Sequence, residues 1–563
     1  MSSYVARARK RKFTPRVHQD SSSSDDELDY AFEGSDSVSI RQRKIERMKR
    51  LRDKYDWDIQ KERHRFLDDL SRLTNNFQVH YPDFHLVFQP DRIDRLVIDS
   101  IELWSNDPRV DFKACRFIEF ARRSGFIYEV DQKRKPISLL VTPIHMVARR
   151  RVPREVSGLD ALYDMYSNYN ANCTDEDGWT HFHIACMYGL ANVVSRFLSS
   201  KLLPQLNANL VWAQTGDSPL NLALGTWAPG RLPRDRCVEA TLRTLLEACA
   251  DPNLANKKGE SALHIFSQQH FNNVEEVAQL LFKRCDEIYQ PVRVDAQDVL
   301  GNTPLHLAVG RDDLKMIELL LINGASPNVA NNEGCTPLHR ATAKLSHATV
   351  ELLLAHGADL SNFAIPFDSY FLANERLAPR TDECSYDFKV KLASSLFIII
   401  ESLEDRDYEL NRSQAMHIMR FFAHYGLLAR PREIPPRSHP AKWYFKQRSG
   451  EIEVKPNLSL RALIQLSPSE AEKLVAYKDY QEFASCSKLS RLKFIESREA
   501  CARHLCEKMS CRFFRLWALY PFWELTDRRL PLKVCEIILA RLGNEDLYRI
   551  CLASPDKRQA NLQ

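Results

Sequence analysis

Apolar residues recur at helical spacing near the start of the chain, and polar residues fill the positions between them. Ile45, Met48, Leu51 and Tyr55 follow one another at intervals of three or four residues, and arginine and lysine occupy the opposite face. This periodicity is typical of an amphipathic helix, so a helix is predicted within residues 41–75.

Two further apolar stretches, Ile93–Trp104 and Phe112–Arg123, predict a helix pair, and Gly125 after the second one suits a helix C-cap. Residues 41–128 are therefore predicted to form a helical N-terminal cap. Residues 1–40 differ, because they are rich in serine and in charged residues and carry no apolar period. That composition predicts a disordered tail.

A motif recurs through the middle of the chain. Its best copies are the segments Gly301–Ala308 and Gly334–Ala341, which share the residues Thr-Pro-Leu-His, and looser copies begin near residues 142, 180, 218 and 261. The fourth motif position falls at His145, His183, Asn221, His264, His306 and His339. Successive copies lie 33 to 43 residues apart, which is the period of a stacked helical repeat with loop insertions.

The motif residues have physical tasks at the start of a helix. Thr303 can cap the helix through its hydroxyl group, and Pro304 suits the first helical position, where no backbone N–H is needed. Leu305 lies on the face that packs inward. The same tasks fall to Thr336, Pro337 and Leu338 in the next copy. Glycines such as Gly324 then end the second helix of a repeat.

The motif histidines invite a catalytic or metal-binding interpretation, which the spacing argues against. Successive copies lie one repeat apart in space, so they cannot converge on one ion. We therefore interpret His145, His183, His264, His306 and His339 as structural residues that bond within their own turn. Cys501, Cys506 and Cys511 are five residues apart, a spacing that turns them to different faces of a helix. No catalytic residue, cofactor or metal is predicted.

The repeated motif resembles the ankyrin repeat. The resemblance implies an all-α fold in which about six repeats stack into a solenoid over residues 129–365. Each repeat buries its apolar face against its neighbours, and the stack leaves a long concave surface of helix faces and hairpin tips. In ankyrin proteins that surface binds a target protein. It lacks the deep pocket with converging polar groups that catalysis needs, so an enzyme is not expected.

The motif fades after residue 365. Residues 366–458 are predicted to contain further helices and a proline-rich linker, and residues 459–556 a separate helical module. Near its end, Pro531 can open a helix, Gly543 can close it, and Asn544 can cap the next. Val534, Ile537, Ile538 and Leu542 form an apolar stripe on the first helix, and Leu547, Ile550 and Cys551 continue it on the second.

This ending resembles the start of an F-box, and after ankyrin repeats it resembles the PRANC domain of poxvirus and insect ankyrin proteins. Lys533 stands where an F-box usually has an acidic residue, and the segment is short. The resemblance implies docking onto the adaptor subunit of an SCF-type cullin ubiquitin ligase. The residues of this expected docking surface are Leu530, Pro531, Val534, Ile537, Ile538, Leu542, Leu547 and Ile550. The alternative is that these helices only cap the C-terminal bundle.

Composition narrows the function further. The net charge is +5 in 563 residues, too balanced to predict nucleic-acid or membrane binding by the chain as a whole. No export signal precedes the 14 cysteines, so reduced thiols in the cytosol or nucleus are expected. A basic run at residues 7–12 suits nuclear import, or is a solvated tail. The second functional hypothesis is a scaffold or inhibitor that sequesters a signalling or transcription factor without recruiting a ligase.

Overall fold

The computed structural model describes residues 37–74, 83–106, 113–126, 141–152, 158–165, 172–200, 206–225, 234–269, 271, 274–287, 291–366, 385–428 and 439–554. Its contacts divide the chain into two units, one made mainly of residues 1–204 and one made mainly of residues 233–563. The described residues are mostly helical, and their two named strands form one short hairpin. The prediction of an all-α fold is therefore confirmed.

The first unit begins with four helices. They are Ser37–Arg52 (α1), Gln60–Thr74 (α2), Pro90–Asn106 (α3) and Lys113–Arg123 (α4). Phe66 and Phe84 are fully buried among them, and Phe88 lies against both rings with centroid distances of 5.8 and 5.3 Å. Helix α1 starts four residues before the predicted boundary, and the rest of the predicted tail lies outside the described residues.

Six helix pairs follow among the described residues, one for each motif copy, and we number them as repeats one to six. They are Pro143–Arg149 with Leu159–Met165 (α5, α6), His181–Met187 with Ala191–Ser199 (α7, α8), Pro219–Leu224 with Arg234–Glu247 (α9, α10), Ala262–Ser267 with Val274–Glu287 (α11, α12), Pro304–Arg311 with Leu314–Ile322 (α13, α14), and Pro337–Ala343 with His347–Ala355 (α15, α16). Repeats one and two belong to the first unit and the other four to the second. The first helix of each pair is the inner helix and the second is the outer helix.

The remaining elements belong to the second unit. They are Ser385–Glu404 (α17), Arg412–His424 (α18), His439–Glu451 (α19), Glu453–Lys455 (β1), Leu458–Ser459 (β2), Leu460–Gln465 (α20), Pro468–Leu474 (α21), Tyr477–Ser485 (α22), Ile495–Leu525 (α23), Leu532–Leu539 (α24) and Asn544–Ala553 (α25). Strands β1 and β2 pair antiparallel. We call residues 385–554 the C-terminal bundle.

Helix α23 is the centre of this bundle. Helices α17, α21, α24 and α25 all pack against it, and α17 also packs closely on α22. The predicted boundary between residues 458 and 459 therefore does not coincide with a break in packing, because α17 lies before it and α22 and α23 after it. The predicted proline-rich linker falls largely on residues 429–438, outside the described residues, and Pro440 lies in helix α19.

The bundle also joins the sixth repeat. The Gln481 side chain bonds both His347 Nδ1 at 3.1 Å and Ser395 Oγ at 3.0 Å, and so connects the repeat to α17. Arg406, which lies two residues after the end of α17, forms an ion pair with Glu351 of the sixth repeat at 3.1 Å. Helices of the bundle thus cover the end of the repeat stack. No helix among the described residues is both long and apolar enough to cross a bilayer.

Candidate protein-binding surfaces

The motif histidines of repeats one, four and five each bond a backbone carbonyl of the next repeat. In repeat five, the Thr303 backbone N–H donates to His306 Nδ1 at 3.1 Å, and the Thr303 hydroxyl lies 2.9 Å from the same nitrogen. His306 Nε2 lies 2.9 Å from the carbonyl oxygen of Cys335 in repeat six. A carbonyl can only accept, so Nε2 carries a proton. Nδ1 accepts from the Thr303 N–H and therefore carries none, so the ring is neutral.

The same bond recurs along the stack. His264 Nε2 lies 3.1 Å from the Asn302 carbonyl, and in repeat three Asn221 Nδ2 donates to the Glu260 carbonyl at 3.1 Å. In the first unit, His145 Nε2 lies 3.1 Å from the carbonyl of Trp179. Within each unit, these bonds form a polar ladder, in which one side chain of repeats one, three, four and five supports the hairpin of the next repeat.

The ladder ends differently at the sixth repeat. The His339 ring packs on the Phe363 ring at a centroid distance of 4.8 Å, and the Phe363 carbonyl accepts a bond from the Tyr408 hydroxyl at 3.1 Å. Burial lowers the pKa of His264, His306 and His339 below its ordinary value, since the charged ring would lose water. Burial therefore favours the neutral form of all three rings.

The other signature residues lie at the start of the inner helices. Thr303 and Thr336 are N-caps in extended conformation, with Pro304 and Pro337 following them at the first helical positions. Leu305 and Leu338 are almost completely buried. In repeat two, the Thr180 hydroxyl accepts from the His183 backbone N–H at 3.2 Å. None of these side chains faces outward, so binding depends on other residues of the repeats.

The hairpin tips face outward, and they differ from repeat to repeat. Lys257 and Lys258 form the tip of repeat four, the exposed residues Val299 and Leu300 that of repeat five, and Asn332 and Glu333 that of repeat six. Neighbouring tips pack closely. A Cβ atom on Gly301 would lie 2.5 Å from the Asn332 side-chain oxygen, so only glycine fits there. The tips therefore form a continuous row with varied chemistry.

A second candidate surface lies on helix α24. Its buried face consists of Cys535 and Leu539, which pack inward with almost no exposed area. Val534 and Ile537 lie on the other side, with 38% and 61% of their area exposed. Two apolar faces therefore share one short helix, and only the second can meet a partner. Leu530, Ile538 and Leu542 are half-buried at its edge and Pro531 is exposed.

The predicted docking residue Leu547 lies elsewhere. It is fully buried on α25, as is Cys551 nearby, and α25 packs along α23. Asn544 at the start of α25 donates to the buried Ser510 hydroxyl at 2.7 Å. The prediction that Leu547 belongs to the docking surface is therefore wrong for this conformation, because the side chain fills the core of the bundle. Ile550 is half-buried on the same helix.

Sequence reasoning missed one exposed residue of α23, Leu516. It is 64% exposed and Tyr520 on the same helix is 61% exposed, whereas Phe513 and Phe514 are buried. A long helix with apolar residues on all sides gives no periodic signal to separate the two faces.

Burial also raises the pKa of the Cys506 and Cys511 thiols, to about 12 and about 11, which keeps them protonated.

Comparisons with known proteins agree with the motif. The family model for ankyrin repeats matches residues 236–331 and 272–364. The chain is 30% identical over 192 residues to the mouse (Mus musculus) B-cell lymphoma 3 protein homolog, covering 29% of this chain and 41% of that protein. It is also 30% identical over 196 residues to the chicken (Gallus gallus) nuclear factor NF-kappa-B p105 subunit, covering 35% of this chain and 17% of that protein. The chain thus spans less than half the length of either relative. With the helix pairs, the caps and the polar ladder, these matches establish that the middle of the chain is built of ankyrin repeats.

Proposed function

We propose that this protein is an adaptor that holds a target protein on its ankyrin repeats and recruits a cullin ubiquitin ligase through helix α24. The repeat fold supports the first half, because stacked repeats leave an extended concave surface of the kind that binds proteins. The observation that carries the second half is the pair Val534 and Ile537. Both side chains are apolar and exposed. They are not needed to fill the core of the bundle, because Cys535 and Leu539 on the same helix already do so.

The exposed position of Ile537 allows a clean experiment. An aspartate at a buried site would unfold the bundle, whereas Ile537→Asp changes only the outer face of α24. If the face docks into an apolar groove of the ligase adaptor subunit, burying the new carboxylate costs several kcal/mol, which reduces binding by roughly a thousandfold. The measurement is titration of the purified full-length chain with the adaptor subunit.

Ile495→Asp is the matched control. Ile495 is 60% exposed at the start of α23, at the opposite end of that 31-residue helix from the segment leading to α24. Loss of binding by Ile537→Asp together with full binding by Ile495→Asp supports the proposal. Equal affinity of both variants and the unchanged chain, or no binding by any of them, rejects ligase recruitment through α24.

A second candidate function is favoured by one of the relatives. The chicken protein is, by its name, a subunit of a nuclear factor. By analogy, the ankyrin stack of this chain would sequester a subunit of a transcription factor, and the C-terminal bundle would only cap the stack. Binding of such a subunit by a chain whose Ile537→Asp variant behaves identically in cells would favour this function over the adaptor.

A further inference from the structure

The outward side of helix α1 is strongly basic. Seven of its 16 residues are arginine or lysine, and one is acidic. Ile45 and Met48 are buried on the inward side, whereas Arg43 and Arg50 are exposed. Arg47 lies between these two arginines at helical spacing, so the three arginines share one side of the helix. We call residues 43, 47 and 50 the basic stripe.

The carboxylates of α1 and of the residue after it pair with other cations. Glu46 pairs with Lys49 at 3.9 Å, and Asp53 pairs with Arg52 at 2.7 Å. The hydrogen bond from Arg52 lowers the pKa of Asp53, and the charge of Arg92 acts in the same direction. One carboxylate within the helix can offset only one of its seven cations. The outward side of α1 therefore keeps an excess of positive charge.

The segment directly before α1 has the opposite charge. Residues 20–36 contain seven aspartate or glutamate residues and no lysine or arginine. We call them the acidic segment. It lies outside the described residues and ends at Asp36, next to Ser37, the first residue of α1. Two neighbouring stretches of the chain therefore carry nearly equal and opposite net charges.

The acidic segment is long enough to run back along the helix. A helix of 16 residues is about 24 Å long. The 12 residues from Asp25 to Asp36 can span up to about 40 Å when extended. Gly34 has the backbone freedom that a chain reversal needs. Because the segment is tethered, its effective concentration at α1 is on the order of millimolar, so a contact that is weak for a free peptide can be occupied within the chain.

We infer that the acidic segment docks on the basic stripe of α1 and shields it from other anions. Its carboxylates pair with Arg43, Arg47 and Arg50, since a guanidinium group matches the geometry of a carboxylate. The contact lies at the surface, so it is reversible and weakens as the salt concentration rises. A polyanion such as nucleic acid reaches the stripe only when the acidic segment leaves it. The contact does not depend on the proposed adaptor function, which uses the repeats and α24.

Zero-length cross-linking of the full-length chain tests the contact directly. A carbodiimide joins a carboxylate to a lysine amine, and Lys44 and Lys49 lie on α1 beside the basic stripe. We expect cross-links from residues 25–29 to these lysines in the monomeric fraction at low salt. They should disappear at about 0.5 M salt, where the screening length falls to about 4 Å. Cross-links to Lys10 or Lys12 in their place, or none at all, overturn the inference.

Binding of heparin, used as a polyanion probe, measures the shielding. The acid-segment variant neutralises four carboxylates: D25N/D26N/E27Q/D29N. It should bind heparin roughly tenfold more tightly than the unchanged chain at low salt, because the stripe is uncovered. The matched control variant neutralises four exposed carboxylates of the second unit: E318Q/D405N/E409Q/E482Q. It has the same net charge and should change the affinity by less than about threefold.

Removal of the stripe shows where the gain in affinity arises. Adding R43Q/R50Q to the acid-segment variant should return heparin binding to the level of the unchanged chain. Both arginines are exposed, so thermal unfolding should stay unchanged. No gain in the acid-segment variant, an equal gain in the control variant, or a gain that persists without Arg43 and Arg50 overturns the inference.

Discussion

The ankyrin repeats of the second unit and the C-terminal bundle are both helical and adjoin each other, yet they are stabilised in different ways. Each repeat uses short helices of 6 to 14 residues, and in repeats three, four and five one polar side chain bonds the hairpin of the next repeat. In the bundle, a single helix of 31 residues crosses the core, and helices α17, α18, α21, α24 and α25 pack on it. Contacts in the repeats are therefore local and periodic, whereas those in the bundle are long-range and specific to each position.

The largest effect is expected in the core of the bundle. Phe514 is fully buried and meets Phe422 of α18 with a ring-centroid distance of 5.6 Å. Phe514→Ala should lower the free energy of unfolding by about 3–5 kcal/mol, since it removes a ring from the helix on which the others pack. Urea denaturation measures this loss, and Leu516→Ala, on the 64% exposed side of the same helix, is the control. A cost similar to that of the control would show that α23 is not the central element.

The same difference explains what the sequence could predict. The caps, prolines and glycines of the repeats are signals within a few residues, so the inner helices at Thr303 and Thr336 follow from the motif itself. On α24, however, the apolar residues cover both sides, and periodicity cannot tell which side α23 covers. Cys535 is buried and Ile537 is exposed. Which of the two is buried depends on contacts with residues that are distant in the sequence.

A smaller loss is expected in the repeats. Leu305 is fully buried in α13, and Leu305→Ala should cost about 2–5 kcal/mol by leaving a cavity. Because repeats contact only their neighbours, hydrogen exchange should increase in repeats four to six and much less around α23. Leu300→Ala at the exposed tip should cost less than about 0.5 kcal/mol. Equal loss of protection throughout the second unit would contradict the local character of the repeats.

The caps should contribute less than the buried leucines. Thr303→Ala removes a hydroxyl that lies 2.9 Å from His306 Nδ1. We expect a loss of about 0.5–2 kcal/mol, the usual value for an N-cap, measured by urea denaturation. Thr303→Ser keeps the hydroxyl and should restore most of the stability. If serine were no better than alanine, the hydroxyl would not be the stabilising group.

The smallest effect is a pH dependence that comes from the buried histidines of the repeats. Burial holds the pKa of His264, His306 and His339 below the value near 6.5 found in the unfolded chain. The unfolded state then binds more protons, so the stability is fully present above about pH 6.5 and falls as the pH drops toward the folded pKa values. Urea midpoints measured between neutral and mildly acidic pH should show this fall.

A variant that keeps the hydrogen bond to the next repeat but lacks the titratable histidine ring makes the pH experiment more specific. Asn221 already makes the ladder bond in repeat three through its amide. His306→Asn should therefore retain part of the contact to the Cys335 carbonyl while flattening the pH dependence of this repeat. A pH dependence as steep as in the unchanged chain would mean that His306 does not contribute to it.

The joint between the sixth repeat and the bundle has a consequence for shortened versions of the protein. A repeat stack stays soluble when its last repeat presents a polar outer face. Here the last repeat meets Gln481 and Arg406 of the bundle, and its His339 ring is covered by Phe363. A chain cut after Pro366 would expose to water the face of α16 that packs on α17, and a helix face that normally packs inside a protein promotes aggregation when it is exposed. Truncation at this joint is therefore expected to reduce solubility before it reduces helix content.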